Sequence, residues 1–271
     1  MQNSISITPL IEAAFLSAWQ KYPVEHQAWT DLSWRLAGRV SVVPMSTSLQ
    51  RAGNLDLVLR AMEDEFASST SEPTMYAFHF QKMFSEAWLM SVYETIRALR
   101  QREDEVARAA RSKDSDYTRY DISSTPSFVS IFRDLELLRM PIAKYEIAKD
   151  HQIKDPILFD MIAPSGDATG SYAYHPGDPA RTHIVPSGLS ARKSVTWLAL
   201  DHAGPSEHSV ERRDLADRLL RLKDEIEPAG IREARLAKEG DVSERRTLTT
   251  LDVSGTLPLR IEIKPLGSFH A

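Results

Sequence analysis

The chain has 271 residues, 42% hydrophobic and 26% charged, with 33 Lys and Arg against 38 Asp and Glu for a formal net charge of −5. This is ordinary globular composition, long enough to bury a core, and it lacks the overall basic footprint that nucleic-acid binding leaves. There is no cysteine, which excludes disulfides, thiolate metal sites and a cysteine nucleophile.

The first twenty residues have no basic segment, and Glu12 breaks their apolar run, so they do not read as a signal peptide. No stretch approaches the roughly 20 apolar residues of a membrane span. The expectation is a soluble, cytoplasmic protein that makes no membrane contact.

Thr8-Pro9 is a helix start, with Thr as N-cap and Pro at the first helical position. That helix should run to about residue 21, before Pro23, and a second should cover about 25–37. Trp19, Trp29 and Trp34 in these two are expected as core anchors. Residues 38–47 read as a connector. A third helix, about 54–67, carries Leu55, Val58, Leu59, Met62 and Phe66 on one stripe. A loop follows at 68–73.

Residues 76–102 form the longest helical pattern, extending to about residue 111. Apolar residues cover most of its circumference, which is the mark of a helix buried among others. One sector differs: His79, Lys82, Glu86, Tyr93, Arg97 and Arg100 share it. After a polar connector, Thr125-Pro126 starts a helix over about 126–150. Its apolar face of Phe128, Ile131, Phe132, Leu135, Leu138 and Ile142 is interrupted by Arg139 and Glu146. Pro141 should bend it.

Only two of the 11 glycines lie before residue 166, and none within 54–165. The second half is therefore punctuated by turns. Asp155-Pro156 suggests a short helix to about residue 162, and 164–193 reads as irregular loop. Residues 194–202 read as a buried strand, with 182–185 as its expected partner. A helix over about 207–226 carries Leu215, Leu219, Leu222 and Ile226 at 4-3-4 spacing. A short helix over 229–239 and a hairpin over 247–264 complete the pattern. In the hairpin Leu257, Leu259, Ile261 and Ile263 alternate with polar residues and proline.

The predicted class is α+β, predominantly α. A helical bundle over 1–163 is followed by a smaller α+β part over 164–271 built on an antiparallel sheet, with a shared core left open.

Two groups of residues could carry chemistry. The first is His79, Glu86, Tyr93, Arg139 and Glu146, which supplies an anion clamp, a base and hydrogen-bonding groups if the two helices are antiparallel neighbours. A structural ion network is the competing reading. The second is Asp201 and His202 at the end of the predicted strand, with His175 and Arg181 in the preceding loop. No Walker, G-x-G-x-x-G, G-x-S-x-G or H-E-x-x-H motif is present, so no metal or cofactor is expected. The Arg139–Tyr145 spacing is similar to the Arg-x4–6-His element of HEPN-type RNases, with Tyr where that element has His. The resemblance implies an RNA-binding or nuclease-like module without its catalytic imidazole. Three function classes follow: a non-enzymatic interaction or binding protein that forms a dimer, a protein or enzyme binding a small anionic ligand in the bundle, and the HEPN-like module.

Overall fold

The structure is a computed structural model that describes residues 6–40, 43–69, 74–112, 122–144, 152–162, 168–178, 185–201 and 206–226. The chain is α+β and predominantly α. The helices are α1 (Ile7–Lys21), α2 (Pro23–Val40), α3 (Val43–Ser68), α4 (Met75–Ser112), α5 (Pro126–Lys144) and α6 (Arg212–Glu225). The strands are β1 (Ile157–Ile162), β2 (Ala168–Tyr174), β3 (Val185–Leu189), β4 (Val195–Asp201) and β5 (Ser206–Glu211). β1 and β2 form one antiparallel pair, and β3-β4-β5 form a second antiparallel sheet in sequence order.

Threonines start two of the long helices. The Thr74 hydroxyl accepts from the Ala77 N–H at 3.2 Å ahead of α4, and Thr125 accepts from the Phe128 N–H at 3.4 Å ahead of α5. Each satisfies one of the donors that a helix start leaves free. The 3-10 turn Ile122–Ser124 is tied to α4 by the buried Glu103 carboxylate, which accepts from the Ser123 N–H at 3.0 Å.

Several elements differ from the sequence expectation. Residues 38–47 are mostly helical, because α2 runs to Val40 and α3 starts at Val43. Pro44 then lies in the first turn of α3, where its missing N–H costs nothing. Residues 157–162 form β1 rather than a helix, since ILFDMI is β-prone and finds a partner in β2. The expected loop 164–193 contains β2 and β3. β3 begins at Val185, which faces Leu198 of β4, and residues 182–184 lie outside the described residues. Residues 206–211 are strand β5, and the helix starts only at Arg212. α5 is described to Lys144. The expected helix at 229–239 and hairpin at 247–264 lie outside the described residues.

One core joins the helices to the three-stranded sheet. Trp29, Leu36, Leu57, Trp88, Ile96, Phe128 and Leu135 belong to the same cluster as Val195, Trp197, Val210 and the α6 stripe of Leu215, Leu219, Leu222 and Ile226. The 4-3-4 stripe thus docks α6 on its neighbours. Of the three tryptophans expected as anchors, Trp29 is buried, whereas Trp19 is 37% and Trp34 56% exposed.

Gly53 lets α2 and α3 close. A Cβ added there would stand 2.6 Å from Trp29 Cγ and 2.7 Å from its Cβ. In an open helix, Gly→Ala is favourable by about 1 kcal/mol. Here the clash with an immobile indole should reverse the sign, and Gly53→Ala should lose about 1–3 kcal/mol in urea unfolding. A variant as stable as the parent would contradict the Gly53–Trp29 contact.

Candidate functional site

α3 places Asp56, Arg60 and Glu63 at 4-3 spacing on one side, and all three are buried. β5 leads directly into α6, so Arg212 enters the interior at the helix start with no exposed surface. Its guanidinium donates to Glu63 Oε1 from Nε at 3.0 Å and from a terminal nitrogen at 2.7 Å; the other terminal nitrogen binds Asp56 Oδ1. Asp56 Oδ2 accepts from Arg60 Nε at 2.8 Å and from Trp29 Nε1 at 2.9 Å. Two buried carboxylates thus face two buried guanidiniums. An outer ring continues the pairing: Arg60 to Asp217 at 2.6 Å, Arg213 to Asp64 at 2.9 Å and Tyr22 Oη to Asp64 at 2.6 Å.

The electrostatics follow from this packing. Burial pushes the Asp56 carboxyl up, but Arg212 and Arg60 outweigh it and hold it below the usual carboxylate range. Asp64 is likewise raised by desolvation, yet hydrogen bonds from Tyr22, Arg213 and Lys21 bring it down to about 2. Every carboxylate oxygen of Asp56 and Glu63 has a donor, with Arg213 at 3.5 Å from Glu63 Oε2. Proton transfer to this inner group would therefore compete with the guanidiniums that hold it. The network braces α3 against the start of α6.

The sequence-nominated cluster is only partly assembled. Arg139 lies over the buried Tyr93 ring, 5.2 Å from its centroid, and burial pushes the Tyr93 hydroxyl up. The Arg139 carboxylate partner is Glu94 at 3.6 Å, not Glu86. Glu86 pairs with Lys82 on its own helix at 3.8 Å, and His79 is exposed. The reason is helix crossing: α5 meets α4 level with Tyr93, and Glu86 and His79 lie about 10 and 21 Å further along the axis at 1.5 Å per residue. Arg139 also donates to Met140 Sδ at 2.8 Å, while its buried Nε has no partner. Glu146, and Tyr145 of the HEPN-like spacing, lie outside the described residues.

In the second group, Asp201 closes β4 opposite Ser206, and His175 is exposed in a turn closed by the Asp178 N–H at 3.0 Å. His202 and Arg181 lie outside the described residues. The neighbouring His208 stands 2.9 Å from Asp134, whose other oxygen takes Arg218 at 2.6 Å. Sequence reasoning missed Asp134, since a single acidic residue on an apolar face looks like a boundary position. Among the described residues, no three His, Asp or Glu side chains converge as a metal ion would require. No described helix is long and apolar enough to cross a membrane.

A separate cleft of about 300 Å³ opens where α1, α2 and α3 meet. Trp19, His26, Trp29, Thr30, Gln50 and Asn54 line it. The Trp19 and His26 rings stack at 5.4 Å, and Trp19 Nε1 donates to Asn54 Oδ1 at 3.1 Å. Comparison of the chain with known protein families, curated proteins and solved structures finds no match in any of the three.

Two outcomes separate the brace from the surface pair. Arg212→Met strands two buried carboxylates and should lose about 3–5 kcal/mol in urea unfolding. Arg139→Met breaks one half-exposed, 3.6 Å pair and should lose no more than about 1 kcal/mol of ion-pair energy. Equal losses would contradict this division. Acid should act through Asp56 and Asp64. Their folded pKa values lie below the unfolded value near 4, so their stabilisation is present above about pH 4 and is lost as the pH falls toward 2. Urea midpoints should fall over that interval, and Asp64→Asn should flatten the slope. A midpoint constant down to pH of about 2 would contradict the shifts.

Proposed function

We propose that the protein is a non-enzymatic interaction protein that self-associates through α1. One observation carries this reading. α1 is rich in apolar residues, with Glu12 as the one charge among residues 7–20, yet Ala18 is the one residue of the helix that is buried. Ile7, Ile11, Ala14 and Ala18 follow 4-3-4 spacing and share one face. The stripe that docks at Ala18 therefore continues as Ala14, Ile11 and Ile7, which are exposed, Ile7 at 70% and Ile11 at 52%. Leu10 and Leu16 are also exposed. Apolar stripes of this length belong against another helix, and a second copy offers the same stripe about a two-fold axis. Ile7, Leu10 and Ile11 at roughly 100 Å² each give roughly 300 Å², below the roughly 800 Å² per partner of a standard interface. The dimer should therefore be reversible.

Sedimentation over a range of concentrations should show mass rising from 30.5 kDa toward the dimer. Leu10→Glu combined with Ile11→Glu should remain monomeric with unchanged helicity, since both side chains are exposed. A parent chain that stays at 30.5 kDa throughout would contradict the reading.

A second reading keeps a small anionic ligand at the α4–α5 surface. Its support is that Arg97 and Arg139 both lean on Glu94, while Arg100 lies over the Phe132 ring at 4.7 Å. Phosphate binding that Arg139→Met abolishes would favour it.

A further inference from the structure

We propose that the cleft between α1, α2 and α3 is a binding site for an uncharged planar heterocycle of nucleobase size, held against the stacked Trp19–His26 pair and read along one edge by Asn54 and Gln50. This does not rest on self-association. Three observations carry it.

The first is the lining. Two tryptophans, a histidine, a threonine and two amides surround about 300 Å³, with no carboxylate, ammonium or guanidinium among them. This volume is at the lower end for small-molecule sites, and an ion would find no counter-charge there. Flat aromatic walls favour a flat ligand.

The second is the hydrogen-bond bookkeeping, which fixes what the amides can still do. The Ser33 hydroxyl donates to the Thr30 carbonyl at 2.7 Å, so its proton is used. Ser33 Oγ must then accept from Gln50 Nε2, at 3.2 Å, which leaves Gln50 Oε1 as an acceptor. An indole N–H can only donate, so Asn54 must present Oδ1 to Trp19, which leaves the Asn54 amide NH2 as a donor. Both amide orientations are thereby determined by their partners. Trp29 Nε1 is committed to Asp56, and the Thr30 hydroxyl donates to the His26 carbonyl at 3.0 Å.

The third is spacing. Gln50 and Asn54 are one helical turn apart on α3, so their Cβ atoms are about 5–6 Å apart and both amides can address one ring edge. The ligand must then carry an acceptor for Asn54 beside an N–H for Gln50. Such paired donors and acceptors are what nucleobases present at their edges, and side-chain amides read them in this way.

Titration of the full chain with adenine, cytosine and uracil, followed by calorimetry and tryptophan emission, tests the site, with indole as an apolar control. At least one base should give saturable heat and an emission change. Asn54→Asp keeps the acceptor for Trp19 but replaces the free donor, and should weaken that base by about tenfold or more. Gln50→Ala should do the same through the other amide. Thermal unfolding of both variants should match the parent, and either variant suffices if the other fails to fold. Absence of saturable binding by all three bases would overturn the proposal. So would indole binding as tightly as the bases, with both variants leaving all affinities unchanged.

Discussion

The fold depends on a guanidinium placed where no water can reach it. Arg212 is the first residue of α6, and three of its hydrogen bonds end on Asp56 and Glu63 of α3. Burying these charges singly would be prohibitive, so each is tolerable only because the others are present. Arg60 completes the balance, and the Trp88 ring lies 5.6 Å from the Arg212 guanidinium. The opposite end of α6 is held as well: Arg35 of α2 donates to the Lys223 and Ile226 carbonyls, groups that a helix end leaves unpaired. α6 is thus fastened at both ends, and the sheet that feeds it is carried with it.

The brace is engaged wholly within the protein. A group whose oxygens are all occupied cannot bind or transfer anything without losing part of the core. The unoccupied capacity is elsewhere, in the amides of the α1–α2–α3 cleft and along the face of α1. α1 meets the body through its last turns: Trp19 to Asn54, and Lys21 and Tyr22 to Asp64. The earlier turns of the helix leave their apolar stripe more than half exposed at Ile7, Leu10 and Ile11. The buried ion pairs and the two proposed binding surfaces thus lie in different parts of the same bundle.

The long helices were legible because their signals are local. Thr125-Pro126 marks a start, and the α6 stripe of Leu215, Leu219 and Leu222 marks a buried face. β5 was not legible. Ser206–Glu211 contains two acidic residues and a histidine, and it is a strand because β4 offers it a ladder. Nor could Arg212 be singled out, since its burial depends on β5 ending one residue earlier. Asp56, Arg60 and Glu63 did carry a readable sign, charges at core spacing on a buried helix. Their partner lies about 150 residues away in sequence. The Tyr93–Arg139 contact was within reach of periodicity, whereas the pairing with Glu94 in place of Glu86 was not, because seven-residue spacing says nothing of where two helices cross.

The central claim is that Arg212 makes α3 and α6 one cooperative unit. Native-state hydrogen exchange of the amides from Asp56 to Glu63 and from Leu215 to Leu222 tests it most directly. The two segments should open with the same free energy and the same denaturant dependence. Exchange of α6 at a distinctly lower free energy, with α3 still protected, would show that the buried pairs do not join them.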